Sequence, residues 1–397
     1  MRILAFAYAC EPGRGSEPGA GWWWVNMLTA IGETWVITRT VHRPAIQQQI
    51  RAAGESSEVR FVYLDLPARL LRWEQRERGV RLYYLLWQFA AVRKARRLAR
   101  RERFDLVWHL TLANAWIGST ACLLKIPFVY GPVGGGVGTP WKLAGTLGIR
   151  GILFELARTG VRACGRYLNP LARASWRRAS LILTQNEETT SWLPQNQQRK
   201  ASVFPHVVLD RMPDDPNRRP DHVLLFAGRL IGWKGASLAI RALERLPDWR
   251  LIVCGDGPEG RRLQRLAARL WLDDRVEFRG WVNRAELLRT MREEASVFVF
   301  PSLHDEAGWV VVEAMASGLP VVCLDLGGPP VLACNAAVAK SGRPAETAAR
   351  IAEAITNAAR MTSEQPRDCA RRFLIEIQTE RLKALLAERV NRDSTAD

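Results

Sequence analysis

Two pairs of charged residues could do chemistry in this chain. Arg229 and Lys234 stand five apart in Gly228-Arg229-Leu230-Ile231-Gly232-Trp233-Lys234-Gly235. Asp305 and Glu313 stand eight apart in Asp305-Glu306-Ala307-Gly308-Trp309-Val310-Val311-Val312-Glu313. A cation pair just after a strand can neutralise a diphosphate, and arginine can do so with two parallel hydrogen bonds. A departing diphosphate gains negative charge, so cations aimed at it stabilise the transition state. Carboxylates accept hydroxyl hydrogens, Glu313 from a ribose and Asp305 from a transferred sugar. A site with both grips is a nucleotide-sugar site.

The ordinary fate of an isolated Arg–Lys pair is a solvated loop. Here Gly228 and Gly235 bracket the pair and allow close backbone approach. Gly308 interrupts the chain before Trp309, so that a helix N-terminus faces the cleft with its amides toward anionic groups. Glu306 reads as a carboxylate complementing that helix dipole. No Asp-x-Asp occurs to hold a metal on the diphosphate. The expectation is no metal and no cofactor, with Arg229 and Lys234 in the metal's place.

The first half offers weaker signals. His109 follows the apolar run Leu106-Val107-Trp108 and would sit at a strand's carboxyl end. Position alone leaves such a histidine more often structural than functional. The turn from Glu11 to Trp22 holds four glycines and opens a helix, so amides at Gly19 and Gly21 could approach phosphate. It lacks the ribose-binding acid of a dinucleotide site. A second loop, Gly131-Pro132-Val133-Gly134-Gly135-Gly136-Val137-Gly138, lines the acceptor side or is simply a tight turn.

The elements that must position these residues alternate. Short apolar runs at Ile3–Ala9, Thr34–Thr38, Phe61–Leu64, Leu106–Trp108 and Phe128–Tyr130 read as strands, with a helix over Trp22–Ile31. The pattern restarts at Val223–Gly228 and continues through Leu251–Gly255, Val276–Phe278, Val297–Phe300 and Val321–Cys323, with a helix over Gly260–Leu270. Strands alternating with helices indicate parallel sheets covered on both faces. The stretch 213–220, with three prolines among its charges, reads as a linker. The division is therefore 1–210, 211–368 and an amphipathic C-terminal helix in 369–397. Two doubly wound α/β domains leave a cleft between the carboxyl ends of their sheets, where ligands bind.

Bulk composition agrees. A chain of 397 residues exceeds one ordinary domain. No run approaches the ~20 apolar residues of a membrane span. The N-terminal run reads as a buried strand rather than a secretory signal. Seven scattered cysteines with no C-x-x-C suggest neither a zinc site nor a disulfide framework, which fits a reducing cytoplasm. The net charge of +17 is uneven. Residues 1–210 hold 29 Lys and Arg against 14 Asp and Glu. Such asymmetry implies an anionic partner for the first half. The segment 68–103 carries twelve Arg and Lys with Leu70, Trp73, Leu82, Tyr83, Trp87 and Phe89 interleaved, and 141–178 adds Trp141, Leu153 and Phe154. Basic residues among aromatic and leucine positions suit an anionic membrane surface better than nucleic acid; a merely solvated arginine-rich face is the plain alternative.

With these motifs the chain resembles the family 4 glycosyltransferases of the GT-B fold over essentially its whole length. The family's acid-x7-Glu signature falls on Asp305 and Glu313, with Asp where the family has Glu. Its Gly-Arg…Lys-Gly motif falls on Gly228, Arg229 and Lys234. Gly255-Asp256-Gly257-Pro258 and Phe278-Arg279-Gly280-Trp281-Val282 match strand-end loops near the nucleotide base, and Gly308 and Trp309 stand within the signature. Asp105-Leu106-Val107-Trp108-His109 resembles the first-domain stretch whose histidine lies near the reacting centre. The resemblance implies two Rossmann-like domains, acceptor-binding then nucleotide-sugar-binding, with the last helix packing back on the first. It implies transfer with retention by a front-face mechanism.

The expectation is a cytoplasmic transferase, peripheral on the inner face of the membrane. It moves a hexose from a UDP- or GDP-sugar to a lipid-linked or polysaccharide glycan. The alternatives are a transferase making a soluble glycoside or disaccharide phosphate, a donor-sugar epimerase, or a nucleotide-sugar or nucleic-acid binding protein without turnover.

Overall fold

The computed structural model describes residues 1–53, 59–67, 69–70, 80–214, 221–334 and 337–394. Two parallel sheets organise them. The first runs β1 (Arg2–Phe6), β2 (Glu33–Thr38), β3 (Val59–Tyr63), β4 (Leu106–His109), β5 (Phe128–Val133), β6 (Leu181–Thr184) and β7 (Ala201–Val203), in spatial order β3-β2-β1-β4-β5-β6-β7. The second runs β8 (Val223–Ala227), β9 (Arg250–Cys254), β10 (Val276–Gly280), β11 (Val297–Phe300), β12 (Val321–Leu324) and β13 (Ala337–Ala339), in order β10-β9-β8-β11-β12-β13. The central strands are continuous apolar runs because helices cover both faces; β4, β8, β11 and β12 are buried at every residue. Strand order reverses between β1 and β4, and again between β8 and β11. In open sheets of this kind the crevice beyond those carboxyl ends is the ligand site.

Each half of the chain lends a helix to the other's core. Helix Ala144–Tyr167 follows β5, yet Leu143 and Leu147 lie in the core under the second sheet. Its backbone breaks at Gly148 (φ 70°, ψ 166°), a left-handed value that glycine tolerates. In return, helix Ile375–Ser394 places Leu382 in the core of the first sheet and packs the partly buried Leu385 and Leu386 against it.

Several sequence expectations are corrected. The first helix spans Ser16–Thr29, beginning six residues before Trp22. Glycine propensity argued against a helix there, but tertiary packing overrides it. An added Cβ at Gly21 would lie 2.0 Å from the Ala9 carbonyl oxygen, so only glycine lets this helix approach the loop after β1. The C-terminal tail is two helices, Glu364–Arg371 and Ile375–Ser394, divided where Leu374 bridges to Leu209. Cys334 and Cys369 form a disulfide, which an odd and scattered cysteine count gave no reason to expect. Residues 215–220 of the proline-rich stretch, and 68 and 71–79 of the basic segment, lie outside the described residues.

Candidate active site

The second sheet's switch point lies between the loop after β8 and the loop after β11, which carry the two charged pairs. Leu303 N donates to the Trp233 carbonyl at 2.7 Å, and Ser302 Oγ donates to the same oxygen at 3.1 Å. Gly235 has φ 76°, and a Cβ there would lie 1.9 Å from the Pro301 carbonyl oxygen. Glycine therefore lets the two loops close on each other. The result is an ion pair, Lys234 Nζ to Asp305 Oδ2 at 2.6 Å, with the ammonium also 5.1 Å from the centre of the Phe300 ring. Burial pushes the Asp305 carboxyl up. The charge and hydrogen bond of Lys234, with Ser302 and His304, outweigh burial and hold it below the usual range.

The strand-end glycines stack the neighbouring loops. Gly228 N donates to the Cys254 carbonyl at 3.0 Å, Leu230 N to the Asp256 carbonyl at 2.8 Å, and Gly255 N to the Gly280 carbonyl at 2.7 Å. A Cβ on Gly255 would lie 1.9 Å from the Gly228 carbonyl oxygen. Asp256 is exposed and its carboxylate accepts from Gly257 N at 2.6 Å. Trp281 is 77% exposed, and Val282 packs on the core of the second sheet. Arg229 is exposed and makes no ion pair among the described residues.

Gly308 is the left-handed residue (φ 96°) that turns the chain into helix Trp309–Ala316. That helix buries Glu313, whose Oε1 accepts from Arg284 Nε at 2.8 Å. Glu313, Trp309 and Arg284 line a cavity of ≈ 520 Å³ together with Gly13, Arg14 and Gly15 of the first domain. Trp309 Nε1 is buried there without a partner among the described residues. Gly19 and Gly21 sit inside helix Ser16–Thr29, where their backbone amides are committed to the helix. Gly13 and Gly15, with open space where a side chain would stand, are the loop's residues on that cavity.

His109 ends β4 as expected but is 1% exposed. Nδ1 lies 2.6 Å from Ser119 Oγ, and Nε2 lies 2.8 Å from the Tyr84 hydroxyl. Burial pulls its pKa down to about 4, so the ring is neutral at physiological pH. Its partner Tyr84 lines a cavity of ≈ 590 Å³ between the domains. That cavity is walled by Trp116, Phe154 and Trp233, with Glu17, Arg158 and Glu306 as its charged groups.

Glu306 is the residue that sequence reasoning misassigned. It precedes the helix, and its carboxylate accepts from Thr189 Oγ1 at 3.0 Å and Asn186 Nδ2 at 3.2 Å. Asn186 Nδ2 also donates to the Glu306 carbonyl at 2.7 Å, while Asn186 Oδ1 caps helix Glu187–Trp192 by accepting from Thr189 N. Burial raises the Glu306 carboxyl above its ordinary value, against hydrogen bonds from Gly135, Asn186 and Thr189. Beside it Glu188 accepts from Gly327 N and Gly138 N, one from each domain. A third bridge joins His304 Nε2 to Glu155 Oε1 at 2.6 Å, with Trp233 stacked on His304 and on Phe154. Asp305 meets Lys234 within its own domain, while its neighbour Glu306 meets the other domain.

Residues 211–372 match the family model of the glycosyl transferases group 1. The second domain is therefore that of a group 1 glycosyltransferase, and the two domains together have the GT-B fold. The transferase is 27% identical to 2-deoxystreptamine glucosyltransferase of Streptomyces kanamyceticus over 327 residues, 77% of this chain and 80% of that one. It is 38% identical to D-inositol 3-phosphate glycosyltransferase of Mycobacteroides abscessus over 120 residues, which span 29% of this chain and only 27% of that protein. Among solved structures, HepE of Anabaena in complex with UDP superposes with TM-score 0.62 at 19% identity, covering 98% of this chain and all of that one. Sucrose-phosphate synthase of Thermosynechococcus elongatus gives 0.59 at 17%, covering 98% of each. At these identities the structures speak for the fold.

Proposed function

We propose that the transferase moves a hexose from a UDP- or GDP-sugar, without a metal ion, onto a hydroxyl of a lipid-linked or polysaccharide glycan. The observation that carries the reading is the Lys234–Asp305 pair at the switch point of the second sheet. The cation and the carboxylate a donor needs lie within one hydrogen bond of each other. On donor binding Lys234 and the exposed Arg229 turn to the diphosphate, Asp305 takes the sugar hydroxyls and Glu313 takes the ribose. The N-terminus of helix Trp309–Ala316 adds its amides.

The transfer proceeds with retention on the front face. The bond from the anomeric carbon to the diphosphate oxygen breaks as the acceptor oxygen bonds to the same face. The acceptor proton passes to the departing diphosphate. Arg229 and Lys234 stabilise the charge that develops there.

The acceptor enters the ≈ 590 Å³ cavity, whose aromatic walls suit sugar faces and whose carboxylates suit hydroxyls. Its surroundings favour a glycan carried on lipid. Ile149, Leu153 and Leu156 of helix Ala144–Tyr167, with Leu82 and Phe89 of helix Val80–Leu98, are exposed apolar side chains among arginines. Such a surface supports peripheral attachment to the inner face of an anionic membrane. Among the described residues no helix is long and apolar enough to cross a membrane. A second reading, a small soluble acceptor, is favoured by the relative from Streptomyces kanamyceticus, which is named a 2-deoxystreptamine glucosyltransferase.

The test is the product. Protein is incubated with UDP-glucose and with GDP-mannose, with membrane extract or 2-deoxystreptamine as acceptor, and the new linkage is read by NMR. An α linkage from an α donor supports the proposed course. A β linkage contradicts it.

A further inference from the structure

A pocket apart from the donor site gathers four arginines. Its cavity of ≈ 130 Å³ is lined by Thr146, Ser237, Arg241, Arg262, Arg265, Leu266 and Arg269. Arg241 and Ser237 come from helix Ala236–Leu243, the other three arginines from helix Gly260–Arg269, and Thr146 from the helix that crosses from the first domain. Arg262, Arg265 and Arg269 recur at spacings of three and four, so they share one helix face, turned here toward Arg241.

The charge in this pocket is unbalanced. Arg262 pairs with Glu259 and donates from both Nη atoms to the Thr146 carbonyl at 3.0 Å. Among the described residues Arg241, Arg265 and Arg269 meet no carboxylate; the Arg265 Nε donates only to the Arg261 carbonyl at 3.2 Å. Like charges gathered in one site repel, and a bound anion removes that cost. Ser237 lines the same pocket, and its hydroxyl has no partner among the described residues. Planar guanidinium groups with a hydroxyl between them match the oxygens of a phosphate group.

We infer that this pocket is a second anion site, binding a phosphate group. It shares no residue with the Arg229, Lys234, Asp305 and Glu313 set. It lies on the joint between the domains, because Arg262 holds Thr146 and stands 3.3 Å from a Cβ built on Gly148, the residue at the helix break. A phosphate here reinforces the contact that Arg262 makes across the joint. The phosphate belongs either to a soluble compound or to an anionic lipid headgroup.

Binding of inorganic phosphate is measured by calorimetry on full-length protein at fixed ionic strength. All samples carry Arg229→Ala, which weakens phosphate binding at the donor site. Adding Arg241→Gln and Arg265→Gln weakens phosphate binding at least tenfold, and Arg265→Gln alone, at an exposed position where folding is not at stake, weakens it severalfold. Arg93→Gln with Arg97→Gln, on the basic face of the first domain, leaves it unchanged. Sedimentation with phosphatidylglycerol vesicles separates the sources. Vesicle binding lost in the pocket variants, and competed by phosphate, assigns the site to a lipid headgroup; vesicle binding unchanged while phosphate binding falls assigns it to a soluble phosphate. Phosphate affinity within twofold of the parent in both pocket variants overturns the site.

Discussion

Lys234 Nζ and Asp305 Oδ2 stand 2.6 Å apart across the two loops that meet at the switch point of the second sheet. Each satisfies the other. In the proposed reading Lys234 turns to a diphosphate and Asp305 to a sugar hydroxyl, so removing either side chain damages the site in a different way.

Lys234→Ala removes a cation aimed at charge that develops on the leaving group. By analogy with the loss of one such stabilising group, kcat falls by about 10²–10³. Asp305→Asn keeps the shape but loses the carboxylate that gathers sugar hydroxyls. Its larger effect is on discrimination between donors that differ in the sugar. Steady-state kinetics with two sugars on one nucleotide separate these outcomes; equal losses on both sugars for Asp305→Asn contradict the assignment.

Glu306 couples pH to the joint between domains. Its folded pKa is raised by burial, so its protonated form is favoured in the folded protein. The stability it contributes is present below the unfolded carboxyl value of about 4.3 and is lost as pH rises through the folded pKa. Glu306→Gln keeps an acceptor for Thr189 and removes the titration. Melting temperature followed from pH 4 to 7 has a less negative slope in the variant than in the parent. Parallel curves contradict the role.

Glu155 behaves in the opposite sense. Burial pushes its carboxyl up, but hydrogen bonds from His304 and Thr139 and the charges of His304 and Arg158 pull it down to about 2. Its contribution is full above the unfolded value and is lost as pH falls from about 4.3 toward 2. Glu155→Leu strands His304 and Arg158 and costs on the order of 3 kcal/mol, as expected for one partner removed from a buried pair. Urea denaturation at pH 7 measures the loss; a change below about 0.5 kcal/mol, the scale of an ordinary surface substitution, refutes it.

His109 is buried neutral, with a pKa lowered to about 4. The unfolded chain gains a proton near pH 6.5 that the folded chain refuses until about pH 4, so this group's stability is lost as pH falls across that interval. It contributes no inflection to the rate between pH 6 and 8. Tyr84→Phe removes the hydroxyl that joins the ring to the cavity wall, and it changes acceptor KM more than donor KM. A His109→Gln enzyme that loses a kinetic pKa near 7 contradicts this reading.

The two switch-point loops were legible in the sequence because apolar runs and glycine brackets are local signals. The strands preceding them, Val223–Ala227 and Val297–Phe300, are buried on both faces and so announce themselves as unbroken apolar runs. What the sequence hid was tertiary. Nothing local says that Leu147 belongs to the second core or Leu382 to the first. Helix Ser16–Thr29 begins among glycines that local propensity reads as a turn, since their use is to fit against Ala9 and Arg14. The short edge strands Ala201–Val203 and Ala337–Ala339 carry too few residues for a periodic signal. Glu306 looked like a helix-dipole carboxylate because its partners Asn186 and Thr189 lie about 120 residues away.

The most direct measurement is donor binding. The parent protein, Arg229→Ala and Lys234→Ala are titrated with UDP-, GDP- and ADP-sugars, with and without EDTA, and slow donor hydrolysis is followed in the same samples. The account predicts one preferred nucleotide sugar, bound equally well with EDTA present and at least tenfold more weakly by each variant. Binding abolished by EDTA, or retained in full by Lys234→Ala, contradicts it.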